Sequence, residues 1–234
     1  MPVFTRDTPD VFFDLAALSA RERYKLIVST IVPRPIAWVV TLDRNGKLNA
    51  APFSFFNAFS TDPPVVGIGI GSRDSGCPKD TCSNIRDTRQ FVVNLVSEEM
   101  AAAMNITAIQ FDPGVSELAE AQLDTIPSSY IDAPRIAGAP VALECELLQV
   151  IDLGAENALV LGRVLAVHVR KDAVVDPVRL SIDASQLRLI ARMHTPWYSR
   201  TSDLFPMQRI SRELWAAANS KVTVTSAEPD PSSL

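Results

Sequence analysis

Between Pro33 and Leu95 the chain turns every few residues, and this rhythm restricts it to a fold built from short strands. Runs rich in Val, Ile and Phe are interrupted by Gly, Pro, Asn and Asp, the residues that favour turns. An apolar strand carrying Trp38 runs into Asn45-Gly46, a strong hairpin signal between apolar runs. The next strand ends in Ser54-Phe55-Phe56-Asn57, and a third, Val65 to Ile70, feeds a loop holding Ser72 and Arg73. Lys79, Asp80 and Thr81 then open a helix that runs to Arg89. Further on, Ala142 to Asp152 and Asn157 to Val169 read as a second antiparallel pair, turning at Leu153-Gly154-Ala155-Glu156. Several strands with few helices predict a β-barrel or sandwich with helices attached.

The flanks have a different texture. Residues 1–20 lack any period and form an arm, after which Ser19-Ala-Arg-Glu22 resembles a capping box leading into a helix at Arg23 to Ser29. Ser97 to Ala108 reads as a helix with Ser97 as N-cap and Glu98 and Glu99 at its positive end. Residues 21–210 make the main domain. Residues 211–234 supply a terminal helix at Ser211 to Ser220 and a tail of Ser, Thr, Pro and acids too poor in apolar residues to pack alone.

Charge and composition exclude several classes. The 234 residues carry a net charge of −5, which argues against a duplex nucleic-acid binder. No apolar run approaches the roughly 18–20 residues needed to span a bilayer, and the first residues lack the order of a secretory signal. A cytoplasmic protein with no membrane partner is expected. Cys77, Cys82 and Cys145 are an odd set and a poor basis for a disulfide framework. Cys77 and Cys82 have no second Cys or His pair nearby, and His168 and His194 form no ligand spacing, so no metal site is expected.

The chemistry-bearing residues lie in the strand-rich segment. Gly67, Gly69 and Gly71 alternate with Ile68 and Ile70 along a strand, so the third glycine comes too early for a Rossmann loop. Small residues on one strand face instead admit another backbone or a flat ligand. Ser72, Arg73, Lys79 and Thr81 beside a helix start are the donors that a phosphate monoester needs; the alternative is an ordinary charged loop. Ser54-Phe55-Phe56-Asn57 offers apolar surface flanked by polar groups, as a planar heteroaromatic ring requires, or else it is a core strand and its end. Trp38 is likewise a core residue or a ring neighbour. His168 approaches the site from its strand or serves as a hydrogen-bonded structural histidine.

The runs PRPIAWVVT, NAAPFSFFNAFSTDPP and KDTCSNIRDTRQFVVNL resemble the flavin reductase-like family. PRIAGAPVALEC at 134–145 and LGRVLAVHV at 161–169 extend the similarity over roughly residues 21–195. The resemblance implies a mainly β fold, an antiparallel Greek-key split β-barrel with peripheral α-helices. It also implies a homodimer binding FMN near the subunit interface, with relatives that take FAD or reduce flavin with NADH or NADPH. Ser54, Phe55, Phe56 and Asn57 would border the isoalloxazine ring with Trp38 near it. Ser72, Arg73, Lys79 and Thr81 would hold the ribityl phosphate, with Asn84 a further candidate at that end. No protein acid or base is obligatory for hydride transfer to flavin N5, and His168 is only a weak candidate. The resemblance admits three roles: an NAD(P)H-dependent flavin reductase serving an electron-accepting protein or monooxygenase, a flavoredoxin-like electron carrier, or a barrel that has lost its flavin. Residues 192–203 match no pattern of the family.

Overall fold

The computed structural model describes residues 10–72, 79–111, 115–155, 157–207 and 209–220, the last four of these by backbone only. The chain divides into two compact units, residues 1–202 and 203–234. Described structure in the second centres on a C-terminal helix. Among the described residues no helix is long and apolar enough to cross a membrane.

In the first unit a 3-10 turn at Leu15–Ala17 precedes α1 (Ala20–Thr30), whose start is a true capping box. The Glu22 amide donates to Ser19 Oγ at 3.3 Å, and the Ser19 amide donates to Glu22 Oε2 at 2.8 Å. The strands β1 (Arg34–Pro35), β2 (Ala37–Leu42), β3 (Leu48–Phe53), β4 (Phe56–Thr61) and β5 (Pro64–Gly71) follow. Gly46 turns the β2–β3 hairpin with φ of 80°, and Asp43 closes it by accepting the amides of Asn45 and Lys47, both at 2.8 Å. After α2 (Asp80–Thr88) and β6 (Gln90–Leu95) come two short helices, α3 (Ala101–Ile106) and α4 (Glu117–Glu120). A small pair, β7 (Thr125–Ile126) and β8 (Arg135–Ile136), precedes the long hairpin of β9 (Val141–Asp152) and β10 (Asn157–Val169). A second small pair, β11 (Val174–Asp176) and β12 (Ser181–Ile182), leads to the hairpin of β13 (Ile190–Arg192) and β14 (Tyr198–Arg200). The second unit contains α5 (Arg212–Ser220).

Seven strands form one antiparallel sheet in the order β3-β2-β6-β9-β10-β5-β4. β3 and β4 lie at opposite edges of this sheet yet are joined by only Ser54 and Phe55. The connection therefore curls the sheet until its edges approach, which is the geometry of a split barrel. Phe53 accordingly shares one core with Ile68 and Ile70 of β5, Val39 of β2 and Phe91 of β6. The other face of the sheet carries a second core, with Trp38, Val40, Val92, Met104 and Leu118. β2 is thus buried on both faces, which is why Ala37 to Val40 reads as a continuous apolar run.

The helix expected from Ser97 is shorter than the sequence suggests. A 3-10 turn, Glu98–Met100, precedes α3, and the Ser97 side chain makes no cap bond. Ser97 is fully buried in an isolated bridge to Leu189, which holds its hydroxyl away from the helix start.

Candidate functional site

The alternation on β5 has a direct packing cause. Val66, Ile68 and Ile70 face the barrel core, so the glycines between them face outward. A Cβ on Gly67 would lie 2.5 Å from Phe59 Cε2, and one on Gly69 would lie 3.0 Å from Phe55 Cβ. The Gly69 amide also donates to the Phe55 carbonyl at 2.7 Å. The missing side chains let the Ser54–Asn57 turn and the Phe59 ring lie against β5.

That turn borders a cavity of about 320 Å³, formed with Ile27, Ile31, Pro33, Arg34 and Pro35. Arg34 organises it. Its Nη1 donates to the carbonyls of Val28 and Ile31, both at 2.7 Å, and so satisfies the open end of α1. Its Nη2 donates to the Met193 carbonyl at 3.0 Å, and its Nε reaches Ser54 Oγ at 3.4 Å. The guanidinium carbon lies 5.9 Å from the centroid of Phe55, whose ring is 6.5 Å from that of Tyr24. Burial lowers the Arg34 pKa from its ordinary value, although the group stays a cation.

The phosphate-type donors line a second cavity, which follows β3 itself. A cleft of about 450 Å³ runs along this edge strand, bounded by Lys47, Asn49, Ala51 and Pro52 on one side and residues 107–111 on another. Lys79, Asp80, Thr81 and Asn84 bring the start of α2 to it, and with it the positive end of the helix. Lys79 Nζ stands 5.4 Å from the centroid of Phe53. Thr81 Oγ1 accepts from Asn49 Nδ2 at 2.9 Å, while Asn84 Nδ2 donates to Thr41 Oγ1 at 3.1 Å. Asn84 is therefore committed to bracing α2 on β2. Ser72 follows the end of β5 and is half-buried. Arg73 lies outside the described residues.

The structure thus places Ser54, Phe55, Phe56 and Asn57 on one cavity and Lys79, Thr81 and Asn84 on the other, with Lys79 over Phe53 at the C-terminal end of β3, while Ser72 lines neither. Trp38 belongs to neither. It is fully buried in the second core, on the sheet face opposite the barrel interior, and its Nε1 donates to Thr107 Oγ1 at 2.8 Å. Trp38 is placed as a core residue rather than a ring neighbour. His168 is structural by placement: its Nε2 lies 2.5 Å from Oε1 of the fully buried Glu144. Burial pushes the Glu144 carboxyl up, but the amides of Ser129 and Tyr130 and the contact with His168 outweigh it and leave the group below its usual range. Burial pushes the Cys145 thiol up, consistent with an inert core cysteine. Among the described residues no cluster of His, Cys, Asp and Glu fits a metal ion.

Sequence reasoning passed over Arg34 and Asn49. Arg34 sits between two prolines, where backbone donors are missing and a side-chain donor has most to do. Asn49 alternates with Ala51 and Phe53, so the strand period puts it on their face, toward α2.

Residues 29–181 match the flavin reductase like domain. An uncharacterized protein of Deinococcus radiodurans is 40% identical over 208 residues, covering 87% of this chain and 91% of its own length. The structure of 2-nitrobenzoate 2-nitroreductase NbaA from Pseudomonas fluorescens superposes with a TM-score of 0.79 at 33% identity, over 86% of this chain and 98% of its own. Nitrilotriacetate monooxygenase component B from Bacillus cereus gives 0.81 at 30%, over 86% and 100%. The chain belongs to the flavin reductase-like family, and its mainly β, antiparallel barrel with peripheral helices is the split-barrel fold of that family.

Proposed function

We propose that this protein binds FMN and catalyses its reduction by NADH or NADPH. The observation that carries the reading is the arrangement along β3, with an apolar segment at Ser54–Asn57 just past its C-terminal end and the donors of a helix start beside the strand, Lys79 over Phe53 and Thr81 on Asn49. A strand advances about 3.3 Å per residue, so Asn49 to Ser54 covers roughly 16 Å, a span suited to a flavin mononucleotide. The residues fit the group chemically. Phe55 presents a partly exposed ring, the glycines of β5 leave the turn flat, and Lys79 and Thr81 stand at the positive end of a nine-residue helix.

When bound, FMN would supply the redox chemistry, a hydride acceptor at N5. The chain's part is to hold and orient. Amides of Ser54 and Phe55, between β3 and β4, would be the donors to the ring edge, where they would favour the anionic reduced ring. Arg34 fixes that turn from beneath, and its buried positive charge acts in the same direction. Lys79, Thr81 and Ser72 hold the phosphate, with Arg73 a further donor. None of these steps needs a protein acid or base.

The working unit is a homodimer. Phe55 and Phe59 are 45% and 62% exposed, and Leu165 and Val167 of β10 are exposed as well. Phe59 stands on an edge strand, where unpaired backbone and apolar surface favour association. The reduced flavin or its electrons pass to a partner protein, as the kinship with a monooxygenase component suggests. The test is anaerobic stopped-flow mixing of the flavin-loaded protein with NADH and NADPH. Bleaching of the flavin band near 450 nm by one of them is expected, and failure of both would refute the reductase reading.

A further inference from the structure

Two arginines face each other where β1 meets β13. Arg34 and Arg192 are directly opposite in that antiparallel pair, so their side chains leave the same face of the ribbon. Like charges so placed repel, and among the described residues no carboxylate meets either one. The arginines to either side are neutralised: Arg200 on β14 pairs with Glu98, and Arg188, just before β13, pairs with Glu99. Arg34 is 6% exposed, and its bonds use two N–H groups of Nη1, one of Nη2 and Nε, all on neutral acceptors. A guanidinium has five N–H donors, so one on Nη2 has no acceptor among the described residues. Arg192 donates to Thr195 Oγ1 at 3.2 Å and lies over the Tyr198 ring, 4.5 Å from its centroid. A buried charge is costly unless it is paired, so this couple of cations calls for an anion.

We propose that Arg34 and Arg192 bind the carboxylate of a small aromatic acid. The site goes beyond the flavin reading and does not rest on it, since the cleft along β3 and the cavity at Arg34 are separate. A guanidinium fork matches the two oxygens of a carboxylate, and Arg192 brings a half-buried fork beside an arginine whose own donors are nearly all committed. The cavity that Arg34 lines receives the rest of the ligand. Its walls include Ile27, Ile31, Pro33, Pro35 and Phe55, and among the described residues no acid lines it. Apolar walls around one cation take a ring with a single charged substituent, because a second charge would be desolvated without a partner. At about 320 Å³ the cavity stands at the small end of ligand sites, which suits one ring and not a dinucleotide. Arg34 also donates to the Met193 carbonyl, so the cavity and the β13–β14 hairpin meet at one guanidinium.

The test is calorimetric titration of the full-length protein with benzoate, benzamide and inorganic phosphate at low ionic strength. Benzoate is expected to bind at least about tenfold more tightly than either of the others. Arg192→Gln should weaken benzoate by about tenfold and leave benzamide within about twofold. The side chain it removes meets only a threonine hydroxyl and an exposed ring, so the variant should melt as the wild type does. Arg200→Gln removes a cation already paired with Glu98 and should leave benzoate within about twofold. Equal affinity for benzoate and benzamide overturns the proposal, as does a protein that takes up no benzoate at millimolar concentration. Equal loss of benzoate from both variants would reduce the effect to a general surface field and also overturn it. Phosphate bound as tightly as benzoate, and lost with Arg192→Gln, would make this a phosphate site and refute the aromatic acid. The heat of anion binding is read with or without flavin on the protein, so the flavin reading stands or fails separately.

Discussion

Lys79 Nζ stands 5.4 Å from the centroid of the Phe53 ring, so the cation at the start of α2 rests over the last residue of β3. The contact is a cation–π pair of modest energy, roughly 0.5–1 kcal/mol where solvent reaches it. Its larger effect is positional, since it holds an ammonium in the cleft along β3 at the end of the strand that adjoins Ser54.

Lys79→Ala should therefore weaken FMN about 10- to 100-fold and riboflavin by no more than about threefold, because only FMN has a phosphate to neutralise. Fluorescence titration of the two ligands reads the difference. Equal weakening would show that Lys79 does not meet the phosphate.

Arg34 makes a contrasting prediction. Its acceptors come from α1, from the Ser54 turn and from the β13–β14 hairpin, and the side chain is buried. Arg34→Ala leaves the carbonyls of Val28, Ile31 and Met193 without their donor, at a cost of about 2–4 kcal/mol of stability. In the folded fraction at low temperature, riboflavin and FMN should weaken by the same factor, since the damage falls on the ring end. Selective loss of FMN would place Arg34 at the phosphate instead.

The two predictions separate what the sequence disclosed from what it did not. The β2–β3 hairpin is legible because Asn45 and Gly46 set the turn locally and the flanking runs have period two. The glycine strand is legible for the same reason, since alternation alone places Gly67, Gly69 and Gly71 on one face. Trp38 is not, because both faces of β2 are buried and alternation cannot say which faces a ligand. The task of Arg34 depends on a carbonyl 159 residues away, a relationship that no local pattern encodes. Lys79, Thr81 and Asn84 read alike in the sequence, yet only the fold shows that the Asn84 amide is turned inward to Thr41.

Gly67 and Gly162 test how far a packed ring can yield. A Cβ at Gly67 meets the ring of Phe59, which is 62% exposed and free to swing outward. At Gly162 the Cβ would lie 2.3 Å from Phe91 Cζ, and Phe91 is fully buried in the barrel core. Gly162→Ala should cost about 2–3 kcal/mol and Gly67→Ala less than about 1 kcal/mol. Urea denaturation compares them, and equal losses would mean that the Phe59 ring is held as firmly as the core one.

Glu144 links the long hairpin to the loop before β8. It is fully buried, accepts the amides of Ser129 and Tyr130 at 2.7 Å each, and meets His168. Because these partners hold its pKa below the unfolded value, the carboxylate contributes stability that is complete above the ordinary glutamate range, near pH 4.3. That contribution disappears as pH falls through the lower folded value, since protonation there removes the charged acceptor. Glu144→Gln removes it at every pH. The variant should be less stable than wild type by about 1–3 kcal/mol at pH 7, and the gap should narrow as pH is lowered below about 4. Denaturation midpoints at pH 7, 5 and 3.5 measure this, and a gap that stays constant or widens toward acid would show that the carboxylate is not held in its charged form by these amides.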